Sequence, residues 1–432
     1  MILLLVFFCL NAKKKLLKNR LNKRIVMKIK IRCFITHFPY QGQLVNQDLS
    51  EVYPIGGGEK VAYNLIRELS RRGHKIEVFT TSFNDKESVE VLENGNIRIF
   101  RFGKNLRIGS TNISFKLVLE SIKCEHHDDI DVVHIHNTTA PGVIAGIIYA
   151  KRRRKPIVIT HHGAERFSNF GSISRRIGVY IYTNFMIDKI FSIADVIILP
   201  SKYYLDDSKY LKKYRDKIKI IPNGINLKEY NVFISKEECR RRLGLPVDKD
   251  IILFLGALIP KKGPHILLKA MSEVVKKYPN AFLILVGSGM MRKDLEKLSQ
   301  KLGIKKNIKF TGFIEERLKP FYYKASDIFV LPSIIKTEVF PLTLLEASAS
   351  GLPLITSDLN TFKCIVEENF NGLFARRGDE RDLANKILYL LENKDVRRKL
   401  GNNAKKKALN FSWDKIAKET EKVYMEVMNN EY

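Results

Sequence analysis

The chain has 432 residues, which is too long for one ordinary hydrophobic core and fits two domains. Its 45% hydrophobic content is typical of a folded protein, and its cysteines form no C-x-x-C pair, which argues against a disulfide framework or a zinc knuckle. The net charge of +29 points towards nucleic acid, but the excess is spread over both halves and no nucleic-acid-binding motif is present, so we expect no such partner.

The first segment, residues 1–26, joins a short apolar stretch to a basic run. About ten apolar residues are too few to span a bilayer, and a signal peptide would place its charges before the apolar stretch. Met27 then opens "MKIKIRCFIT", which is typical of the first strand of an α/β domain. We therefore expect translation to start at Met27, with residues 1–26 either an extension of the gene model or a weak membrane-surface anchor.

From Lys30 onwards, short apolar runs alternate with segments of helical periodicity. Strands are predicted at "IKIRCFIT", "KIEVFTT", "IRIFRF", "DVVHIH", "PIVITHHG" and "DVIILPS". A helix is predicted at "GGGEKVAYNLIRELSRRGH", ending near Gly73, with one apolar stripe made of Val61, Leu65, Ile66 and Leu69. This alternation predicts a parallel sheet covered by helices on both faces.

After "IKIIPNGINLKEY" the same plan restarts with the strand "IILFLGAL" and the helix "PKKGPHILLKAMSEVVKKYP". We predict a first domain at 27–222, a second at 223–405 and a segment at 406–432 whose amphipathic helix crosses back to the first domain. Two Rossmann-like domains facing each other leave a cleft at the carboxyl ends of their strands, where such sheets bind ligands. The predicted fold class is therefore α/β, with two domains across a cleft.

The segment "EVFPLTLLE" places Glu338 and Glu346 on either side of Pro341. Proline is accepted at the start of a helix and not in its interior, so we predict a helix from Pro341 to about Ser350, ended by Gly351. Glu338 then precedes the helix and Glu346 lies on it. Because helix N-termini attract anions, the pattern indicates a ligand that carries both phosphates and hydroxyls.

Seven motifs together are similar to those of the family-four retaining glycosyltransferases, which have the GT-B fold. They are "YPIGGGEKVAYNLIRELSRRGHKIEVFT", "DVVHIHN", "THHG", "IIPNGIN", "FLGALIPKKGPHILLKAM", "LILVGSG" and "EVFPLTLLEASASGLPLITSD". The resemblance implies a retaining, metal-independent hexosyltransferase without a cofactor. The first domain would bind a glycan or lipid-linked acceptor, and the second a UDP- or GDP-linked sugar. The location would be cytoplasmic, either free or peripheral on the inner face of the membrane.

Site residues follow from the resemblance, position by position. Glu346 would hold the ribose, Glu338 the donor sugar and Lys262 the diphosphate. Ala257 stands where the family usually has an arginine, and Lys261 is the candidate replacement. Val339 and Pro341 stand where glycine is common, and Asn360 and Cys364 stand where glycine and glutamate are common. The remaining donor-binding candidates are glycines and residues that offer backbone N–H groups: Gly56, Gly57, Gly58, Gly287, Phe340, Leu342 and Thr343.

Two strands of the first domain end in histidines. His134 and His136 face one way on a strand, and His162 approaches from the neighbouring strand. A metal site would need further ligands that the sequence does not place there, so we predict none. His134 is expected to be structural, and His136 is a candidate for binding the acceptor. The resemblance assigns His162 to both the acceptor and catalysis.

The segment "IRIFRFGKNLRIGSTNISF" interleaves Arg101, Lys104 and Arg107 with apolar residues. It is interpreted either as an edge strand and loop with solvated basic groups, or as a patch that docks on anionic lipid. Two alternatives to the transferase stay open: a basic nucleic-acid-binding protein, and an epimerase or phosphorylase of the same fold.

Overall fold

The structure is a computed structural model that describes residues 28–40, 56–108, 111–124, 129–137, 140–163, 176–177, 180–208, 210–335 and 338–429. Residues 1–26 and their predicted role lie outside these ranges. Two large sheets organise the chain. The strands are β1 Lys30–Phe34, β2 Lys75–Thr81, β3 Ser88–Leu92, β4 Ile97–Phe102, β5 Leu106–Ile108, β6 Thr111–Ile113, β7 Val132–Asn137, β8 Ile157–His161, β9 Val196–Leu199, β10 Ile218–Ile220, β11 Asp250–Leu255, β12 Ala281–Val286, β13 Ile308–Gly312, β14 Ile328–Leu331, β15 Leu354–Ser357 and β16 Gly372–Ala375.

Helices cover the sheets and supply the second half of each core. They are α1 Gly57–Arg71, α2 Phe115–Lys123, α3 Ala140–Arg153, α4 Ile187–Ile193, α5 Lys202–Asp207, α6 Lys236–Arg242, α7 Pro264–Lys277, α8 Arg292–Lys301, α9 Lys319–Ala325, α10 Leu342–Ala349, α11 Glu380–Glu392, α12 Lys394–Ala408 and α13 Trp413–Asn429. No helix in the described ranges is both long and apolar enough to cross a bilayer.

The first domain has an eight-stranded sheet in the order β10-β9-β8-β7-β1-β2-β4-β3. All its pairs are parallel except β3 with β4. The stripe predicted on α1 is confirmed: all four of its apolar residues are buried, and Gly73 follows the helix with a φ of +97°. The second domain has a six-stranded parallel sheet in the order β13-β12-β11-β14-β15-β16. The prediction of two Rossmann-like halves is thus confirmed.

The last helix, α13, packs on the first domain. Trp413, Ile416 and Tyr424 belong to the same buried cluster as residues of β1, β2 and α1. The linker between the domains runs directly beneath, because a Cβ atom on Gly224 would lie 2.4 Å from the Trp413 ring. The linker and α13, which are the two segments that cross between the domains, therefore lie side by side on one edge of the cleft.

The basic patch predicted in the first domain needs correction at Arg101. This residue lies on β4, which is covered by the additional edge strand β3, so the edge-strand interpretation is wrong as well. The Arg101 guanidinium is 1% exposed, donates to the carbonyl oxygens of Phe38 and Pro39 at 2.7 and 2.8 Å, and pairs with Glu90. It stabilises the fold and cannot reach a lipid surface, whereas Arg107 is exposed.

Candidate active site

The two glutamates of the second domain lie where the sequence predicts them. Pro341 is the N-cap of α10, the last helical residue is Ala349 with Ser350 as the C-cap, and Gly351 follows with a φ of +78°. Glu338 precedes the helix and Glu346 lies on its second turn, and both carboxylates are buried. The hydroxyl of Thr361 donates to the backbone oxygen of Glu338 at 2.6 Å. The loop that holds Asn360 and Cys364 therefore contacts the backbone of Glu338 and helps to fix its position.

Glu338 forms an ion pair with Lys262, with 2.8 Å between Nζ and Oε2. Burial alone would raise the pKa of Glu338, but the ammonium groups of Lys262 and Lys261 hold it below its ordinary value. The turn that carries Lys262 packs closely against the residue that follows β14. Gly263 has a φ of +69°, and a Cβ atom there would lie 2.1 Å from the backbone oxygen of Pro332. An ionised carboxylate and a cation thus share one side of the cleft.

Glu346 is held by a tyrosine and a lysine from α9. The hydroxyl of Tyr323 donates to Oε2 at 2.7 Å, and Nζ of Lys319 lies 3.4 Å from Oε1. Lys319 also pairs with Glu316 at 2.9 Å, and the two carboxylates outweigh its burial and raise the pKa of Lys319. The predictions from sequence missed these partners, although the i, i+4 spacing of Lys319 and Tyr323 places them on one helix face.

The other donor-side candidates lie after β12 and at the start of α10. Gly287, with a φ of +134°, packs so tightly that a Cβ atom would lie 2.0 Å from the oxygen of Gly256. Phe340 is buried, and its ring packs on Phe411. Leu342 is the first residue of α10, and the buried hydroxyl of Thr343 has no hydrogen-bond partner among the described residues.

The histidines of the first domain form a buried stack at the ends of β7 and β8. His134 is fully satisfied by Tyr424 and Thr160, each at 2.7 Å, so its structural role is confirmed. Nδ1 of His136 lies 3.2 Å from Nε2 of His162. Burial, with smaller contributions from His161 and His134, lowers the pKa of His162 to about 3. All three rings are neutral at pH 7.

His136 is 0% exposed, and its Nδ1 contacts the ring of His162. In this geometry it supports the His162 ring, and its contact with an acceptor stays a prediction. His162 itself is only partly buried. Within the described ranges, no group of three or more His, Cys, Asp or Glu side chains is arranged to hold a metal ion.

The two halves of the site meet directly across the cleft. Val339, next to Glu338, packs in a cluster of first-domain residues, and a Cβ atom on Gly163 would lie 2.5 Å from its Cγ2. The glycine segment Gly56–Gly58 opens α1 in the first domain, with the Gly56 N–H donating to Glu59. Two residues further on, Lys60 pairs with Glu316 of the second domain. The contact between Gly163 and Val339 therefore brings the neighbouring residues His162 and Glu338 towards each other across the cleft.

Fold and site define a GT-B glycosyltransferase. The model of the glycosyl transferases group 1 family matches residues 235–407, and the Glycosyltransferase Family 4 model matches residues 55–229. The chain is 30% identical over 394 residues to an uncharacterized glycosyltransferase of Methanocaldococcus jannaschii, which covers 87% of this chain and 96% of that protein. The chain belongs to this family of glycosyltransferases, which favours the transferase over the nucleic-acid-binding and epimerase alternatives.

Further relatives share the fold or part of the sequence. The alpha-monoglucosyldiacylglycerol synthase of Acholeplasma laidlawii is 28% identical, over 69% of this chain and 76% of that protein. The HepE protein of Anabaena, solved in complex with UDP, superposes with a TM-score of 0.68 at 22% identity, over 93% of this chain and 100% of that one. Sucrose-phosphate synthase from Thermosynechococcus elongatus superposes with a TM-score of 0.69 at 23% identity, over 93% and 100%.

Proposed function

We propose that the enzyme transfers a hexose from a nucleoside-diphosphate sugar to a hydroxyl of a glycan or lipid-linked acceptor, with retention of configuration. The observation that carries this proposal is the ionised Glu338–Lys262 pair beside the start of α10, with Glu346 on the same helix. A carboxylate accepts hydrogen bonds from sugar hydroxyls, and a cation stabilises a leaving diphosphate.

Each group has a distinct task in this proposal. Glu346 binds ribose hydroxyls, Glu338 orients the donor sugar, and Lys262 compensates the charge that develops on the diphosphate. Lys261, whose charge also acts on Glu338, supplies the cation that Ala257 does not provide. With two lysines and a helix N-terminus supplying positive charge, the proposal needs no metal ion.

The acceptor side of the proposal uses neutral groups. His162 is held by His136 and carries no charge at pH 7, so it hydrogen-bonds an acceptor or sugar hydroxyl without repelling the nearby lysines. Retention is supported by the family resemblance, in which the donor phosphate itself guides deprotonation of the acceptor. Catalysis then comes mainly from positioning and charge stabilisation in a closed, water-poor cleft.

A thermal-shift panel tests the donor assignment. UDP, GDP and ADP are added separately to the wild-type protein and to Glu346→Ala, and one nucleotide is expected to raise the melting temperature of the wild type alone. UDP is the first candidate because HepE was solved with it. If no nucleotide stabilises the wild type, or if Glu346→Ala responds equally, the donor site is wrongly placed.

We also propose that the enzyme docks on anionic lipid through the β5–β6 hairpin and α2. The amide of Phe115 donates to the side chain of Asn105, so hairpin and helix form one surface. Its exposed apolar residues are Leu106, Ile108, Phe115, Leu119 and Ile122, and its basic residues are Lys104, Arg107, Lys116 and Lys123. Apolar insertion flanked by basic charge is typical of interfacial binding.

Co-sedimentation with vesicles tests the docking surface. A protein beginning at Met27 is expected to bind anionic vesicles and not neutral ones. The combined change of Arg107, Phe115 and Leu119 to Ser is expected to weaken binding by tenfold or more, since a basic group near such a membrane contributes about 1 kcal/mol. The control changes the exposed Val89 and Val91 of β3 to Ser. Equal losses in both variants would refute this surface.

A further inference from the structure

One ion pair crosses between the two domains beside the glutamates. Lys60, on the first turn of α1, contacts Oε1 of Glu316, which belongs to the loop before α9 in the second domain. The side chains are 25% and 29% exposed, so water only partly screens the pair. Lys60 lies two residues after the glycine segment Gly56–Gly58 at the start of α1.

From Glu316 the contacts continue to the donor site. Oε2 of Glu316 lies 2.9 Å from Nζ of Lys319, and the same Nζ lies 3.4 Å from Oε1 of Glu346. The other oxygen of Glu346 is fixed by the hydroxyl of Tyr323. Charges alternate along the whole series: Lys60 positive, Glu316 negative, Lys319 positive and Glu346 negative.

Lys319 is shared between two carboxylates, so its position depends on both. Burial would raise the pKa of Glu316, but Lys319 and Lys60 together hold it below its ordinary value. Without Lys60, Glu316 has one ammonium group to pair with instead of two, and its attraction draws Lys319 away from Glu346. Because Lys319 is buried, such a shift changes the hydrogen bonding that Glu346 offers to a ligand.

We propose that Lys60 and Glu316 are positioning residues: contact of the first domain with Glu316 sets Lys319, and through it Glu346, in the geometry that binds the donor nucleotide. This inference rests on the proposed role of Glu346. It explains why a polar contact between domains lies at the start of α1, and it makes nucleotide affinity depend on closure of the cleft. Neither Lys60 nor Glu316 needs to touch the nucleotide.

A double-mutant cycle tests the coupling. The variants are Lys60→Met, Glu316→Gln, both together, and the conservative Lys60→Arg. Affinities for UDP, GDP and ADP are measured by calorimetry, and KM and kcat are measured with the matching sugar nucleotide. Each single change is expected to weaken nucleotide binding and raise the donor KM about two- to fivefold, as for partly exposed ion pairs. The double variant should be no weaker than the singles, with kcat and the acceptor KM unchanged and Lys60→Arg close to wild type.

The matched control is Arg67→Met. Arg67 lies on α1, as Lys60 does, but its ion-pair partner Glu93 belongs to the first domain, so this pair does not cross the cleft. The variant should leave nucleotide affinity unchanged. A loss in Lys60→Met without one in Glu316→Gln would mean that Lys60 touches the nucleotide directly, and would overturn the proposal. So would additive losses, an equal loss in Arg67→Met, or unchanged affinity in all variants. If the wild type binds none of the three nucleotides, the donor assignment fails as well, which separates the two failures.

Discussion

The two domains repeat one α/β plan but keep polar groups at the cleft in opposite ways. In the first domain, burial lowers the pKa of His134 and His162 to about 3, so both rings are neutral, and His162 is an uncharged hydrogen-bonding group at the cleft. In the second, Glu338 is buried as well, but pairing with Lys262 outweighs its burial and keeps it ionised. The first domain keeps its histidines uncharged, whereas the second domain keeps its glutamate charged and pairs it with a lysine.

This difference matches the chemistry of the two proposed substrates. A diphosphate carries charge that must be compensated, and cations held in place do so without reorganisation during the reaction. An acceptor hydroxyl is neutral, and a neutral imidazole binds it without the cost of burying another charge. The comparison predicts that changes of charge matter most in the second domain, and that pH acts mainly through the first.

The largest effect is expected from the Glu338–Lys262 ion pair of the second domain. Glu338→Ala should lower kcat about a hundredfold, because it removes a donor contact and leaves the partly buried ammonium of Lys262 unpaired. Lys262→Met should have a similar effect, and the double variant should be no slower than the slower single. Turnover measured on sugar transfer provides the check.

The matched control for this pair is Glu380→Ala, which removes an outer glutamate of the second domain that pairs loosely with Lys269. It should retain wild-type turnover. Strictly additive losses for Glu338 and Lys262 would show that the two residues act separately, and the description of a paired site would then be wrong.

Sequence patterns predicted the plan of the molecule and the glutamates but not their partners. Proline and glycine fix backbone angles locally, so the predicted helix from Pro341 to about Ser350 matches α10, Leu342–Ala349, to within one residue at each end. Lys319 could not be placed, since a lysine at the start of a helix is usually solvated. Its burial depends on Glu316 and Glu346, which only the tertiary structure brings together.

Arg101 shows the same limit in the first domain. Alternation along "IRIFRF" predicts a strand, and that prediction is confirmed by β4. Whether the basic residues of a strand face water depends on what pairs beside it, and the short strand β3 was not predicted. Its Glu90, with the carbonyl oxygens of Phe38 and Pro39, turned a predicted surface residue into a buried one.

Acidic pH should protonate the buried histidines of the first domain and so remove the difference between the two domains. Burial lowers the pKa of His134 to about 3, and burial followed by the charge of Arg107 lowers that of His37 to about 4. The unfolded chain takes up these protons near pH 6.5, while the folded chain does not. Their contribution to stability is therefore complete above pH 6.5 and is lost as the pH falls.

Between pH 7 and pH 5.5 each of these two histidines should lose about 1.2 kcal/mol of unfolding free energy, and His136 and His162, whose pKa values burial also lowers, add to the loss. Urea denaturation at a series of pH values measures it. His134→Gln should remove about 1.2 kcal/mol of this loss, and an unchanged slope in that variant would assign the effect to other groups.

A smaller effect on turnover is expected from changing His162, the histidine nearest the cleft. His162→Asn should lower kcat about tenfold, the equivalent of one good hydrogen bond. Because the pKa of His162 is about 3, the wild-type pH profile of kcat/KM should show no inflection from this residue between pH 5 and pH 8. An inflection near pH 6.5 that disappears in the variant would show that the ring is charged during turnover, contrary to the proposed neutral role.

The smallest effect concerns the contact that joins the halves. Gly163→Ala introduces a methyl group 2.5 Å from Cγ2 of Val339, at a φ of +84° that disfavours any residue with a Cβ atom. We expect kcat/KM to fall about fivefold, corresponding to roughly 1 kcal/mol of strain and hindered closure. Gly378→Ala, at a φ of +78° with open space around it, controls for backbone strain alone and should leave kcat/KM unchanged. Adding Val339→Ala to Gly163→Ala removes the collision but not the strain, so it should restore part of the loss. If it restores nothing, closure does not depend on this contact, and the charged and neutral halves of the site are brought together elsewhere.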